Sequence, residues 1–244
     1  MNAWDEMSKS YPHYGDSDMM RDVKRALEFC YDNGVKFQGE IVDIGAGTGI
    51  IDLEIALKNE VSITAVDMSE QMLEILKNDA KKLGVEKKIT TIKSNFDEFE
   101  PKRQFDIAIA SLCPAINSVK NAHKFINLTK NLGIYVAWGA YKECEFLDLL
   151  IPEPNPNIKG CIKTANMHEI LTNHNIEFKC EFFMADWENV MSEEKAMQYA
   201  RSMLMRCDLK IDETHIKSVI AKFMRKDGVY IQTKAQKGVT IFSV

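Results

Sequence analysis

Apolar positions along this chain alternate between two rhythms. Short runs of β-formers, "EIVDIGAG", "VSITAVD", "KITTIKSN", "FDIAIASLCP" and "IYVAWGA", read as five buried strands, the fourth alternating Ile with Ala and ending at a proline. Between them the apolar residues fall at helical spacing. Residues 16–33 place Met20, Val23, Leu27 and Cys30 on one face, and Asn33-Gly34 ends the helix. "TGIIDLEIALKNE" carries Ile50, Leu53, Ala56 and Leu57 as an amphipathic face. "EQMLEILKNDAKKLG" aligns Met72, Leu76, Ala80 and Leu83 between an N-cap at Ser69 and a stop at Gly84. "NAHKFINLTKNLG" gives the helix after the fourth strand. Five successive βα steps predict a parallel, right-handed, doubly wound α/β sheet.

After Ala140 the rhythm breaks. "IPEPNPNIKG" concentrates three prolines and predicts a loop or linker. A helix is expected at "TANMHEILTNH", a strand at "IEFKCEFFMA" and helical material from Glu193 to Lys226. "GVYIQTKAQKGVTIFSV" is expected to close the chain as two short strands.

Composition changes this picture little. With 244 residues, 45% hydrophobic and 27% charged, the chain has the balance of an ordinary globular protein with one substantial core. The net charge of −5 weighs against a nucleic-acid partner, which needs concentrated basic surface. The basic stretches "KNDAKKLGVEKK" and "KAQK" read as solvated faces and turns. No apolar run is long enough to cross a bilayer, and the first residues lack a basic start and an apolar segment, so a cytoplasmic protein without membrane contact is expected. Six scattered cysteines, Cys30, Cys113, Cys144, Cys161, Cys180 and Cys207, show no metal-ligand spacing, so reduced thiols and no metal are expected.

The candidate chemistry lies in "IVDIGAGTGII". Glycines at 45, 47 and 49 directly after a strand imply a sharp turn or a ligand pressed close to the backbone, at the end of the sheet where open α/β folds bind ligands. Asp67 ends the second strand, where its carboxylate can accept from ribose hydroxyls. Dinucleotide sites favour GxGxxG with a pyrophosphate on the following helix; here Asp43 precedes the glycines and repels such a group. S-adenosylmethionine, a phosphate-free nucleoside with an ammonium and a sulfonium, suits Asp43 better.

"VDIGAGTG", "AVDMSEQML", "IKSNFDEF" and "FDIAIASL" resemble, in order and spacing, the successive motifs of class I S-adenosylmethionine-dependent methyltransferases, over roughly residues 40–140. The resemblance implies a Rossmann-like, mostly parallel sheet with a closing antiparallel strand. It implies S-adenosylmethionine as cofactor. Asp43, Gly45, Ala46, Gly47 and Gly49 would line its methionine part, and Asp67 would hold its ribose. Met68 and Met72 would flank its adenine. Asn95 and Phe96 follow the third strand, where the family often has an aspartate on the adenine amino group; Ser111 and Leu112 would end the fourth strand beside the methyl. The N-terminal "WDEMSKSYPHYG" resembles a lid in which an aromatic residue, here Tyr11, closes over the cofactor.

Substrate-side candidates are Tyr14, Cys113, Trp138, Tyr141 and Trp187, with His13 as candidate general base; Cys113 is read as an inert thiol. One domain over 1–244 is expected, comprising a lid and helix (1–34), a cofactor-binding core (35–140), a helical cap (141–226) and closing strands (227–244). "SLCPAIN" departs from the Asn/Asp-Pro-Pro-aromatic signature of exocyclic-amine methylation, and a small-molecule acceptor is expected. The alternatives are a protein or RNA methyltransferase and a binding module without transfer activity. A nicotinamide-dependent oxidoreductase ranks last.

Overall fold

The computed structural model describes residues 3–151 and 162–244. The strands are β1 (Gly39–Ile44), β2 (Val61–Asp67), β3 (Ile89–Lys93), β4 (Phe105–Ser111), β5 (Thr129–Glu143), β6 (Phe178–Met191), β7 (Met224–Arg225) and β8 (Gly228–Ser243). The helices are α1 (Ala3–Met7), α2 (Ser17–Asp32), α3 (Ile50–Lys58), α4 (Glu70–Leu83), α5 (Val119–Leu128), α6 (Glu145–Leu150), α7 (Thr164–Asn173), α8 (Glu193–Arg206) and α9 (Glu213–Phe223).

The sheet runs β3-β2-β1-β4-β5-β8-β6, with β7 paired to β8. From β3 to β5 the pairs are parallel, and β8 lies antiparallel to both β5 and β6. Chain order reverses between β1 and β4, which opens a crevice above their carboxyl ends. Apolar side chains cover both faces. One layer joins Leu27, Ile41, Leu53, Leu76 and Ile109 beneath α2, α3 and α4, and the other joins Val42, Ala108, Phe125, Tyr135 and Met167 beneath α5 and α7.

The caps read from sequence form. Ser69 Oγ accepts from Met72 N, and Gly84 ends α4 in the left-handed region. Several expectations need correction. No helix joins β3 to β4. The helix expected over 121–133 stops at Leu128, because Thr129 already pairs with Phe105 across a register shift. The tail is one sixteen-residue strand rather than two short ones, since β6 pairs with it from Val229 to Phe242 and β5 joins on the other side from Lys234 onward. Leu57 is 41% exposed, whereas Asp52 and Glu54 of the same helix are buried. Among the described residues Cys30, Cys113, Cys144, Cys180 and Cys207 form no disulfide; Cys161 and most of the proline-rich 151–160 stretch lie outside them.

β5, β8 and β6 are about twice as long as β1 and β4. On this extension α6, α8 and α9 build a second small core through Phe146, Leu150, Met197, Leu204, Ile220 and Ile231.

Lys237, expected on a solvated turn, is 3% exposed, and its Nζ donates to Asp22 Oδ2 at 2.6 Å. Alternation along β8 turns Lys237 inward beside Val239 and Ile241, beneath α2. Burial pushes the lysine pKa down and Asp22 pushes it back up. Asp22→Leu, which strands a buried ammonium, is expected to cost about 3–5 kcal/mol in urea unfolding, and adding Lys237→Met should restore most of that. A single-variant loss below about 1 kcal/mol would show the pair to be solvated.

Candidate functional site

β1 ends at Ile44, and the following turn holds Gly45, Gly47 and Gly49 at φ of 74°, 57° and 69°. The turn is tied to the end of β2, since Gly45 N and Ala46 N both donate to Val66 O, at 2.8 and 3.1 Å. A Cβ at Gly45 would lie 2.3 Å from Cys113 Sγ, so that glycine lets the β4 loop close against the turn. A Cβ at Gly47 would point toward the Tyr11 ring and meet nothing nearer than 3.9 Å. The space left open there is on the crevice side.

Asp67, at the carboxyl end of β2, accepts from Gly47 N on Oδ2 at 2.9 Å and from Ser69 N on Oδ1 at 2.8 Å. The carboxylate has acceptor capacity beyond these bonds for a ligand hydroxyl. Burial pushes the Asp67 pKa up, and its backbone N–H donors oppose that shift. The N-terminal segment is fastened over the same place: Ser69 Oγ donates to Asp5 Oδ1 at 2.7 Å, and Thr48 Oγ1 donates to Pro12 O at 2.8 Å. These bonds set Tyr11 above Gly47.

Beneath the turn lie two carboxyl groups removed from water. Asp43 and Asp52 are 1% and 0% exposed, and Asp43 Oδ1 and both Asp52 oxygens have no hydrogen-bond partner among the described residues when drawn ionised. A proton held between the two carboxyls relieves that deficit. Burial, opposed by the Asp52 hydrogen bond and reinforced by the Asp67 charge, raises Asp43 to about 7; burial and the Asp43 charge raise Asp52 as well. Sequence reasoning missed Asp52. An acidic residue in a first helical turn ordinarily reads as a favourable dipole contact, and only the fold shows it buried.

The other candidates separate into those near the crevice and those held elsewhere. Met68 is 40% exposed after β2, whereas Met72 is a core residue under α4. Asn95 Oδ1 accepts from Asp97 N at 3.2 Å in the loop after β3, and Phe96 is buried with Lys124 Nζ 5.2 Å from its ring centre. Ser111 ends β4, and Leu112 beyond it holds φ at 49°, a costly conformation for a branched side chain, fixed by a 2.7 Å bond from its N to Val136 O. Cys113 is buried, and burial first, then Asp67 and Asp43, push its thiol far above the ordinary range. It is therefore no nucleophile at neutral pH.

His13 is exposed and faces Asp79 Oδ2 on α4 at 3.6 Å. Tyr14 donates to Glu54 Oε2 on α3 at 2.7 Å; burial and that bond raise its hydroxyl to about 12. Trp138 and Trp187 stack at 6.3 Å and flank Lys237, whose Nζ lies 5.6 and 5.3 Å from their ring centres. Tyr141 is an exposed residue donating to Glu143. A groove of about 1310 Å³ opens at the opposite end of the sheet, beside Gly39, Asp106 and Ser243. There the Asp106 carboxylate is already engaged by Glu40 N at 2.9 Å.

Residues 41–131 match the family model described as "Methyltransferase domain". Over these residues the chain is similar to methyltransferase domains. The strand order and the antiparallel closing strand give it the class I architecture. It is similar to protein arginine N-methyltransferase 1.1 of Arabidopsis thaliana, 35% identical over 107 residues, covering 41% of this chain and 27% of the relative. It is also similar to carboxy-S-adenosyl-L-methionine synthase of Nautilia profundicola, 31% identical over 98 residues, covering 39% of this chain and 38% of the relative. The chain thus spans about a quarter to two fifths of the length of these relatives. In fold it is similar to a SAM-dependent methyltransferase from Geobacter sulfurreducens crystallised with S-adenosyl-L-homocysteine, with a TM-score of 0.55 at 11% identity, covering 97% of this chain and 98% of that one. No helix among the described residues is long and apolar enough to cross a membrane.

The Asp43 proton sets a pH dependence. Its folded pKa of about 7 lies above the ordinary aspartate value near 3.8, so the folded state retains a proton that the unfolded chain releases. The stabilisation is fully present below about pH 4 and is lost as pH rises through 7. Across that window this group should lower the stability of the ligand-free domain, and Asp43→Asn should abolish that contribution. Urea titrations of both proteins at pH 5 and 8 test this, and identical pH differences would refute it.

Proposed function

We propose that the chain binds S-adenosylmethionine across the glycine turn and directs its methyl group to a small-molecule acceptor. The observation that carries the reading is the Asp67 carboxylate, held by Gly47 N and Ser69 N beside a turn whose Gly47 leaves room for a ligand. The residues present fit a positively charged, phosphate-free nucleoside. Asp43 Oδ1 lacks a donor, and Asp43, Asp52 and Asp67 together disfavour a pyrophosphate.

Gly45, Ala46, Gly47 and Gly49 supply a backbone cradle for the methionine part, Asp67 accepts from the ribose, and Met68 lies where an adenine would rest. Ser111 and Leu112 border the place of transfer. When bound, the cofactor supplies an electrophilic methyl carried on a sulfonium. The protein contributes alignment and exclusion of water, with Tyr11 closing over Gly47. Burial raises the Tyr11 pKa, so its hydroxyl stays protonated and acts as a hydrogen-bond donor rather than a base.

The acceptor side is formed by the lid over 1–34 and the cap over 141–226. The small core of α6, α8 and α9 supports that division, because these helices pack together against the extended end of β8. A crevice covered by both lid and cap would suit a small molecule better than a protein chain. The likeness to an arginine methyltransferase spans 41% of this chain and leaves most of it, including any acceptor pocket in the remainder, without a counterpart.

Two measurements test the reading. Calorimetry should show S-adenosylmethionine binding and no binding of a nicotinamide dinucleotide, with Asp67→Ala weakening the former by about 1–3 kcal/mol; unchanged affinity would remove Asp67 from the site. Because a cationic ligand favours ionised Asp43, binding should also release protons below about pH 7, read from calorimetric enthalpies in buffers of different ionisation heat. A buffer-independent enthalpy at pH 6 would contradict the charge assignment.

A further inference from the structure

The N-terminal segment over 3–16 crosses the glycine turn as a strap, and its ties to the rest of the chain are unequal. Ser69 Oγ, at the start of α4, donates to Asp5 Oδ1 at 2.7 Å; Thr48 Oγ1 donates to Pro12 O at 2.8 Å; Tyr14 donates to Glu54 Oε2 on α3 at 2.7 Å. These three are closed. The fourth is open, because His13 Nδ1 stands 3.6 Å from Asp79 Oδ2, beyond hydrogen-bond length. Asp79 lies further along α4 than Ser69, so the strap follows that helix before it turns to α3. The two oxygens of Asp79 differ. Oδ1 accepts from Lys82 Nζ at 2.7 Å, whereas Oδ2 is buried and accepts no hydrogen bond among the described residues. A buried oxygen without a donor costs free energy that a donor reaching it recovers. His13 lies in neither helix nor strand, and a shift of under about 1 Å brings its Nδ1 to hydrogen-bond length.

We propose that His13 is the latch of this strap: its Nδ1–H donates to Asp79 Oδ2 when the strap shuts over the cofactor, and the pair thereby sets how fast S-adenosylhomocysteine leaves. His13 is then a positioning residue and not the general base of the transfer. The inference rests on the function proposed above and adds a gate to the same site. Tyr11 carries the effect, because it lies two residues from His13 and its ring is the group that a side chain at Gly47 would meet. The latch is sensitive to pH by its chemistry. A neutral imidazole protonated on Nε2 turns a bare nitrogen to the carboxylate, whereas an imidazolium carries a proton on both nitrogens and a charge that Asp79 attracts. On α4 the charged groups facing His13 are Asp79 and, paired with it, Lys82; on α3 Glu54 is held by Tyr14 and Lys58. Within the strap the Asp16 carboxylate accepts from Met19 N. The latch therefore tightens as pH falls.

Two readouts on the full chain test this. The first needs no cofactor: hydrogen exchange of the Tyr11 and Asp16 amides, which donate to Ser8 O and His13 O, is measured at pH 6 and 8 and referred to the intrinsic rate at each pH. Protection is expected to be about three- to fivefold greater at pH 6, the scale of an ion pair with one exposed partner, and equal at the two pH values in His13→Ala. His13→Lys, which keeps a cation at both, should stay protected at pH 8. The second readout is the stopped-flow release of S-adenosylhomocysteine, which at pH 6 should be slower in wild type than in His13→Ala by the same factor and at pH 8 the same in both. Comparison at one pH removes the contribution of the Asp43 proton, which the two proteins share. Equal wild-type protection at both pH values, or an unchanged pH difference in His13→Ala, would overturn the latch. Normal strap protection with identical release in wild type and His13→Ala at pH 6 would overturn its role as a gate. Protein that shows the protection pattern but ignores S-adenosylhomocysteine would sink the function proposed above and leave the latch standing.

Discussion

The hydrogen bond from Gly47 N to the Asp67 carboxylate, 2.9 Å long, joins the turns that follow β1 and β2, and the arrangement of the crevice depends on it. It joins them at the point in the sheet where a ligand can enter between diverging crossovers. The same carboxylate receives Ser69 N, which starts α4, so one side chain fixes both the glycine turn and the helix that flanks it. Without a negative group there, two backbone donors at the crevice wall would lose their acceptor.

That anchoring extends outward. Ser69 passes the constraint to Asp5 on α1, and Thr48 passes it to Pro12, so the N-terminal segment is tied to the turn at two points on either side of Tyr11. On its far side α1 meets α8 through Trp4 and Arg206. The first helix therefore touches a helix from the second half of the chain.

Burial decides the charge of the carboxyls beneath the turn. Asp43 and Asp52 have no cation beside them, and the cheapest way to keep both out of water is to share a proton. Lys237 and Asp22 solve the same problem differently, by pairing at 2.6 Å, with the lysine ammonium beside two stacked tryptophans. The two tryptophans, candidates from sequence for a substrate wall, stack beside a buried lysine.

The strands from β1 to β4, their helices, the caps at Ser69 and Gly84 and the glycine turn were all legible in the sequence, because each is fixed by residues within one or two turns of chain. Spacing alone also singled out Asp43 and Asp67. What sequence could not supply depends on partners far along the chain: the single long β8, which needs β5 and β6 on its two sides, and the burial of Lys237, which needs Asp22 some two hundred residues away. Asp52 and Arg206 belong to the same class. A helical position reveals which face a residue occupies, but whether that face meets water, a second carboxyl or a neighbouring helix is settled only when the sheet has brought the layers together. Local propensity and period determined the elements and the turn; long-range packing determined which charges were dehydrated, and with them the chemistry of the site.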